Sequence, residues 1–245
     1  MEIKNKVILV TGAAKRVGRV IAGTLAASGA HIALHYNASS LEAESAAKEF
    51  RSLGVEAEIF QADLRRVSDL KTLVEKSYSR FGRIDVLVNN AAVFFKTPFD
   101  TVNEDEWDKT LSANLKGPFF LSTFVGRRML QAGTQGKIIS MADWAGERPY
   151  TNYVPYCISK AGIIAMTKGL AKTLAPHVSV MAIAPGPVLW PEDLGEEELN
   201  AVLEKTPLKK IGTPQDIANT VRFIIEGNDF MTGTTIFVDG GRFVY

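Results

Sequence analysis

A chain of 245 residues, 46% hydrophobic and 22% charged, is long enough to bury a full core and falls in the range of one large α/β domain. Its formal net charge of +1 leaves no surplus with which to hold a nucleic-acid backbone or an anionic membrane surface without specificity. Cys157, the lone cysteine, excludes an intrachain disulfide, and no apolar run reaches the ~18 residues that a membrane span needs. Met1 to Lys6 run straight into a strand-like stretch and lack the apolar region and cleavage site of a signal peptide. The expectation is a cytoplasmic protein with neither a nucleic-acid nor a membrane partner.

Short β-rich runs alternate with amphipathic segments of helix length. Val7–Val10 reads as a strand, 17–28 as a helix, His31–Leu34 as a strand and 41–53 as a helix. Ala57–Phe60 is the third strand, followed by a helix over 67–81, a strand over 84–88, and helices over 104–131 broken near Asn114. Strands near 137–141, 178–184 and 234–238 follow. Strands joined through helices need right-handed crossovers, so residues 1–245 are expected to form one doubly wound parallel sheet, a Rossmann fold with helices on both faces. The prolines at 185, 187 and 191 interrupt any regular element before Glu196-Glu197-Glu198; the segment reads either as a solvated helix start or as a lid.

The first strand ends in Thr11-Gly12-Ala13-Ala14-Lys15-Arg16-Val17-Gly18 and opens directly into a helix. Gly12 permits a tight turn, and Gly18 lets the backbone approach a pyrophosphate on the helix N-terminus, where unpaired N–H groups favour anions. No carboxylate stands about 20 residues further on to mark a ribose 2′-hydroxyl. His35, Tyr36, Asn37 and Ser39 stand there instead, which leaves Arg16 for a 2′-phosphate and favours NADPH; ordinary strand-end packing is the other reading of His35 and Tyr36. Tyr156 and Lys160, four residues apart, share one helix face, where a lysine cation would lower the phenol pKa toward that of a working general acid.

These residues resemble the short-chain dehydrogenase/reductase family, whose Thr-Gly-x-x-x-Gly-x-Gly turn is followed except that Arg16 replaces the middle glycine. That replacement resembles the pteridine reductases of the family, as does the His-Tyr-x-x-Ser segment. The resemblance implies cofactor contacts from Asp63 and Leu64, from Asn90 and Ala91, and from Pro185 and Gly186, with Asn89 mainly structural. It further implies a catalytic Asn114 acting through water and Phe94 stacked on a pterin; packing is the other reading of Phe94. Trp190 and Leu189, just after Pro185-Gly186-Pro187, are placed to close the pocket, and the apolar runs over 115–130 and 161–174 join the resemblance in pointing to a homotetramer. Ala92 stands where the family commonly has a serine.

Thirteen residues before Tyr156, where the family has a carbonyl-polarising serine, stands Asp143. A carboxylate beside a developing oxyanion raises the barrier to ketone reduction, whereas reduction of C=N builds no oxyanion and can use a carboxyl as proton relay. The other reading makes Ser140 the working hydroxyl and Asp143 a turn cap. The leading expectation is an NADPH-dependent pteridine reductase in which Arg16, Phe94, Asp143, Tyr156 and Trp190 meet the substrate. The alternatives are a carbonyl reductase such as a 3-oxoacyl-carrier-protein reductase, and a non-catalytic NADPH-binding sensor. His31, His35 and His177 have no ligand spacing, so no metal is expected.

Overall fold

A computed structural model describes residues 1–189, 195–227 and 229–244. Seven parallel strands form one sheet: β1 (Val7–Thr11), β2 (His31–Tyr36), β3 (Ala57–Gln61), β4 (Val86–Asn89), β5 (Gly136–Met141), β6 (Val178–Pro185) and β7 (Thr235–Val238), in the order β3-β2-β1-β4-β5-β6-β7. The strand order reverses between β1 and β4, where Leu9 faces Leu87, so a crevice opens at the carboxyl ends of those two strands.

Alternation along each strand builds two cores. Ile8 and Val10 of β1 face one side, joined by Leu25 of α1 (Arg16–Ala27), Phe50 of α2 (Ser40–Ser52) and Val221 of the helix Pro214–Glu226. Leu9 faces the other, against Leu73 of α3 (Val67–Phe81), Val125 and Met129 of the helix Gly117–Gln131, and Leu174 of the helix Val154–Leu174. With both faces covered, every residue of β1 is buried, which is why the strand reads as an unbroken apolar run.

The expected break near Asn114 is a turn of π-helix, Ser112–Lys116, between α4 (Glu104–Leu111) and α5 (Gly117–Gln131). α6 (Val154–Leu174) carries Tyr156 and Lys160, and α7 spans Glu196–Glu204, so the helix start within the proline-rich segment exists. Trp190 lies outside the described residues. α8 (Pro214–Glu226) has no counterpart in the sequence reading, although Thr213 and Asp216 form a reciprocal cap and Pro214 occupies the first turn. No described helix is long and apolar enough to cross a membrane.

Candidate active site

The turn after β1 is built around absent side chains. Gly12 has φ +65°, and a Cβ on Gly18 would overlap the Gly12 carbonyl oxygen. Thr11 Oγ1 accepts from the Asn90 and Ala91 amides at 2.9 and 3.1 Å, while Asn90 Nδ2 donates to the Thr11 carbonyl at 2.8 Å. The two crevice-lining strand ends are thereby splinted together. Arg16 keeps φ +54° at the position where the family pattern has glycine, a left-handed conformation that costs a non-glycine residue roughly 1–2 kcal/mol.

His35 is fully enclosed. Its Nδ1 accepts from the Gly12 amide at 3.1 Å and its Nε2 lies 3.1 Å from the Ala62 carbonyl, so the neutral ring carries its proton on Nε2. Burial pushes its pKa down to about 4. With both nitrogens engaged, it supports the turn instead of offering a donor to a 2′-phosphate, as packing at the strand end would have it. Tyr36 is half-buried against the core, Asn37 is exposed, and Ser39 precedes α2 without capping it.

Two cavities follow the carboxyl edge of the sheet. The smaller, about 300 Å³, is lined by Gly12, His35, Asn37, Asp63, Leu64 and Ala91. The Asp63 carboxylate is paired with Arg65 at 2.6 Å, which holds its pKa below the usual range. The larger, about 620 Å³, takes Arg16, Val17, Asn90, Phe94, Asp143, Tyr156, Lys160, Pro185 and Gly186 into its wall, along with Leu189. Arg16 thus lines the larger cavity and Asn37 the smaller, and Ser39 lines neither.

Within the larger cavity, Tyr156 Oη donates to Asp143 Oδ2 at 2.7 Å, and Asp143 Oδ1 accepts from the Ala145 amide at 2.8 Å. Asp143 therefore caps a turn and bonds the phenol at once. Ser140 is fully buried, its hydroxyl accepting from Asn89 Nδ2 at 3.1 Å, and it does not reach the cavity. Asn89 also donates to Ser122 at 2.9 Å, the structural part expected of it.

Lys160 Nζ donates to the Met141 carbonyl at 2.8 Å and lies 5.5 Å from the centre of the Tyr156 ring. Burial lowers its pKa to about 8. The expected lowering of the Tyr156 pKa is not found: burial and the adjoining Asp143 charge hold it well above its ordinary value, so the phenol keeps its proton. Burial likewise raises the pKa of Asp143 against the opposing pull of the Ala145 amide, Tyr156 and Lys160.

Asn114 accepts from the Val93 amide at 2.8 Å and donates to the Val93 carbonyl at 2.9 Å. It ties down the loop that carries Phe94 and does not line the cavity, so its side chain is a positioning group. Phe94 stacks on Tyr153 at 4.5 Å and 5° and meets Tyr156 edge-on at 4.7 Å. Tyr150 and Tyr153 extend this aromatic wall, a feature the sequence reading missed although both stand within six residues of Tyr156.

A glycine turn at the sheet crevice, leading to a cavity that holds a bonded Tyr–Asp pair and a buried lysine, is an arrangement for moving a proton beside a bound dinucleotide. The family model described as "Enoyl-(Acyl carrier protein) reductase" matches residues 12–242. The chain belongs to the short-chain dehydrogenase/reductase family. Among its short-chain relatives, the 3-oxoacyl-[acyl-carrier-protein] reductase FabG of Staphylococcus epidermidis is 36% identical over 244 residues, covering 98% of this chain and 100% of that protein. Galactitol 2-dehydrogenase of Agrobacterium fabrum is 32% identical over 259 residues, with 100% of both chains covered. A crystal structure of a blue fluorescent protein from a metagenomic library, in complex with NADPH, superposes with a TM-score of 0.90 at 31% identity and 99% coverage of each chain.

Proposed function

We propose that this short-chain reductase uses NADPH to reduce a C=N bond in a planar heterocycle of the pterin type, a dihydropterin to its tetrahydro form. One observation carries the reading: the residue bonded to Tyr156 Oη is the carboxyl of Asp143, and among the described residues no serine lines the cavity. The glycine cradle at Gly12 and Gly18 fits a pyrophosphate, and the two cavities sharing Ala92 give room for the two ends of a dinucleotide. NADPH when bound supplies the hydride that reaches carbon. Tyr156 then delivers its proton to nitrogen, and Asp143, bonded to the same oxygen, returns a proton from solvent to the phenol. Lys160 holds positive charge beside the ring while the phenol is briefly ionised. Phe94 and Tyr153 supply a flat face for the substrate, worth about 0.5–1.5 kcal/mol beyond buried area.

The second reading, reduction of the ketone of a 3-oxoacyl thioester, is favoured by the relatives: the FabG proteins carry that name, and galactitol 2-dehydrogenase is named for an alcohol substrate. The raised pKa of Asp143 also suits it, because a protonated carboxyl donates a hydrogen bond as serine does. Two substitutions decide between them, read as kcat/KM for dihydrobiopterin and for an acetoacetyl thioester. Asp143→Asn keeps a hydrogen-bond donor but cannot relay a proton, and Asp143→Ser restores the family hydroxyl. On the pterin reading both variants lose pterin turnover by about 10²-fold or more, while activity on the ketone stays equal or rises. A wild-type enzyme that reduces the thioester far faster than any pterin would establish the second reading.

The same reading includes assembly as a homotetramer. Leu111, Leu115, Phe119, Met166 and Leu170 line an apolar groove of about 660 Å³ across α4, α5 and α6, and Phe119 is 42% exposed. Light scattering at micromolar concentration tests it, and a monomer there would refute it.

A further inference from the structure

Among the described residues, Arg242 alone lines both the catalytic cavity and a second, polar cavity of about 480 Å³, whose other described walls are Trp144, Glu147, Arg148, Pro149 and Lys205. Its guanidinium is half-buried and fixed from two sides. Nη1 donates to the Val202 carbonyl at 2.9 Å and approaches Thr206 Oγ1 at 3.5 Å, and the guanidinium carbon lies 5.0 Å from the centre of the Trp144 ring. Among the described residues, no carboxylate pairs with it and its Nε and Nη2 donors find no acceptor.

A guanidinium carries five N–H donors in a planar fork. Taking one partly out of water without a counter-charge is unfavourable, and an anion arriving between the two cavities would offset that cost. Among the described residues that line the second cavity, Lys205 and Arg148 are cationic and Glu147 is the carboxylate. An extended substrate with its reducible bond at Tyr156 would leave the catalytic cavity past Arg242.

We propose that Arg242 is a specificity residue that receives an anionic arm of the substrate, a carboxylate or a phosphate, and directs it into the second cavity. The inference deepens the reductase reading but does not depend on the pterin, since a thioester on a phosphate-bearing carrier has the same need.

The test uses matched pairs. Dihydrofolate, which carries carboxylates, is compared with dihydrobiopterin, and acetoacetyl-CoA with the acetoacetyl ester of N-acetylcysteamine, for wild type, Arg242→Gln and Arg242→Lys. The quantity read is the ratio of kcat/KM, charged over neutral. In at least one pair the wild-type ratio should exceed unity by about tenfold at low salt and shrink as salt is added. Arg242→Gln should abolish that preference, with Arg242→Lys between. The pair that responds identifies the arm as carboxylate or phosphate.

A wild-type ratio near unity in both pairs, or an Arg242→Gln change that lowers both members of a pair equally, would overturn the proposal. Should Arg242→Gln not fold, the wild-type salt dependence still decides. Should the pterin pair show no turnover at all, the pterin reading fails while the thioester pair still tests Arg242. If neither class is turned over, calorimetric binding of p-aminobenzoylglutamate and of 4′-phosphopantetheine reads the same site, and absence of both would sink it.

Discussion

Acidification from pH 7 to pH 5 should weaken this protein through His35. The ring is buried and neutral, with its pKa at about 4 against an ordinary value of 6.5. Because the unfolded chain takes up the proton first, the stabilisation exists in full above the unfolded value and is lost as pH falls toward the folded one. A separation of that size corresponds to about 3 kcal/mol in total, of which about 2 kcal/mol disappears between pH 7 and pH 5. Protonation also sets two donors face to face, Nδ1–H against the Gly12 amide, so the phosphate-binding turn should loosen at the same time. Urea unfolding of wild type and His35→Gln at both pH values, at fixed protein concentration, isolates the term as the difference between their pH responses. NADPH affinity followed over the same range should decline with it. An NMR titration in which His35 protonates near its ordinary pKa, or identical pH responses in the two proteins, would refute the reasoning.

Further outcomes are expected from the same geometry. The buried Lys160 loses its charge near pH 8, so kcat/KM should fall as pH rises through that value, and a flat profile to pH 9.5 would contradict the assignment. Gly18→Ala pushes a methyl into the Gly12 carbonyl and should abolish NADPH binding by calorimetry while leaving the circular-dichroism spectrum of the sheet intact. Arg16→Gly should relieve the left-handed strain, raising stability by about 1 kcal/mol, and raise substrate KM. Because Arg16 lines the larger cavity, the preference for NADPH over NADH should hardly change. A collapse of that preference would show that Arg16 reaches the 2′-phosphate after all.

The alternation of apolar strands with helix-length segments determined the parallel doubly wound sheet, since strands joined one after another through helices cross over in the same direction. Gly12, Gly18, Tyr156 and Lys160 were legible because each answers a local demand, a turn without side chains or two groups on one helix face. The π-turn at Ser112–Lys116 shows in the sequence only as a break in periodicity, and α8 is marked there only by the cap residues Thr213 and Asp216 with Pro214 between them. What the tertiary structure alone decided is where polar atoms find partners across long stretches of chain. It turned His35 inward to hold Gly12 and Ala62, gave Asn114 to Val93 rather than to the cavity, and put Ser140 against Asn89 so that Asp143 faces Tyr156. It also fixed the direction of the Tyr156 pKa, because burial, with the Asp143 carboxyl against the phenol, raises it, and burial is a property of the packed molecule that no spacing rule supplies.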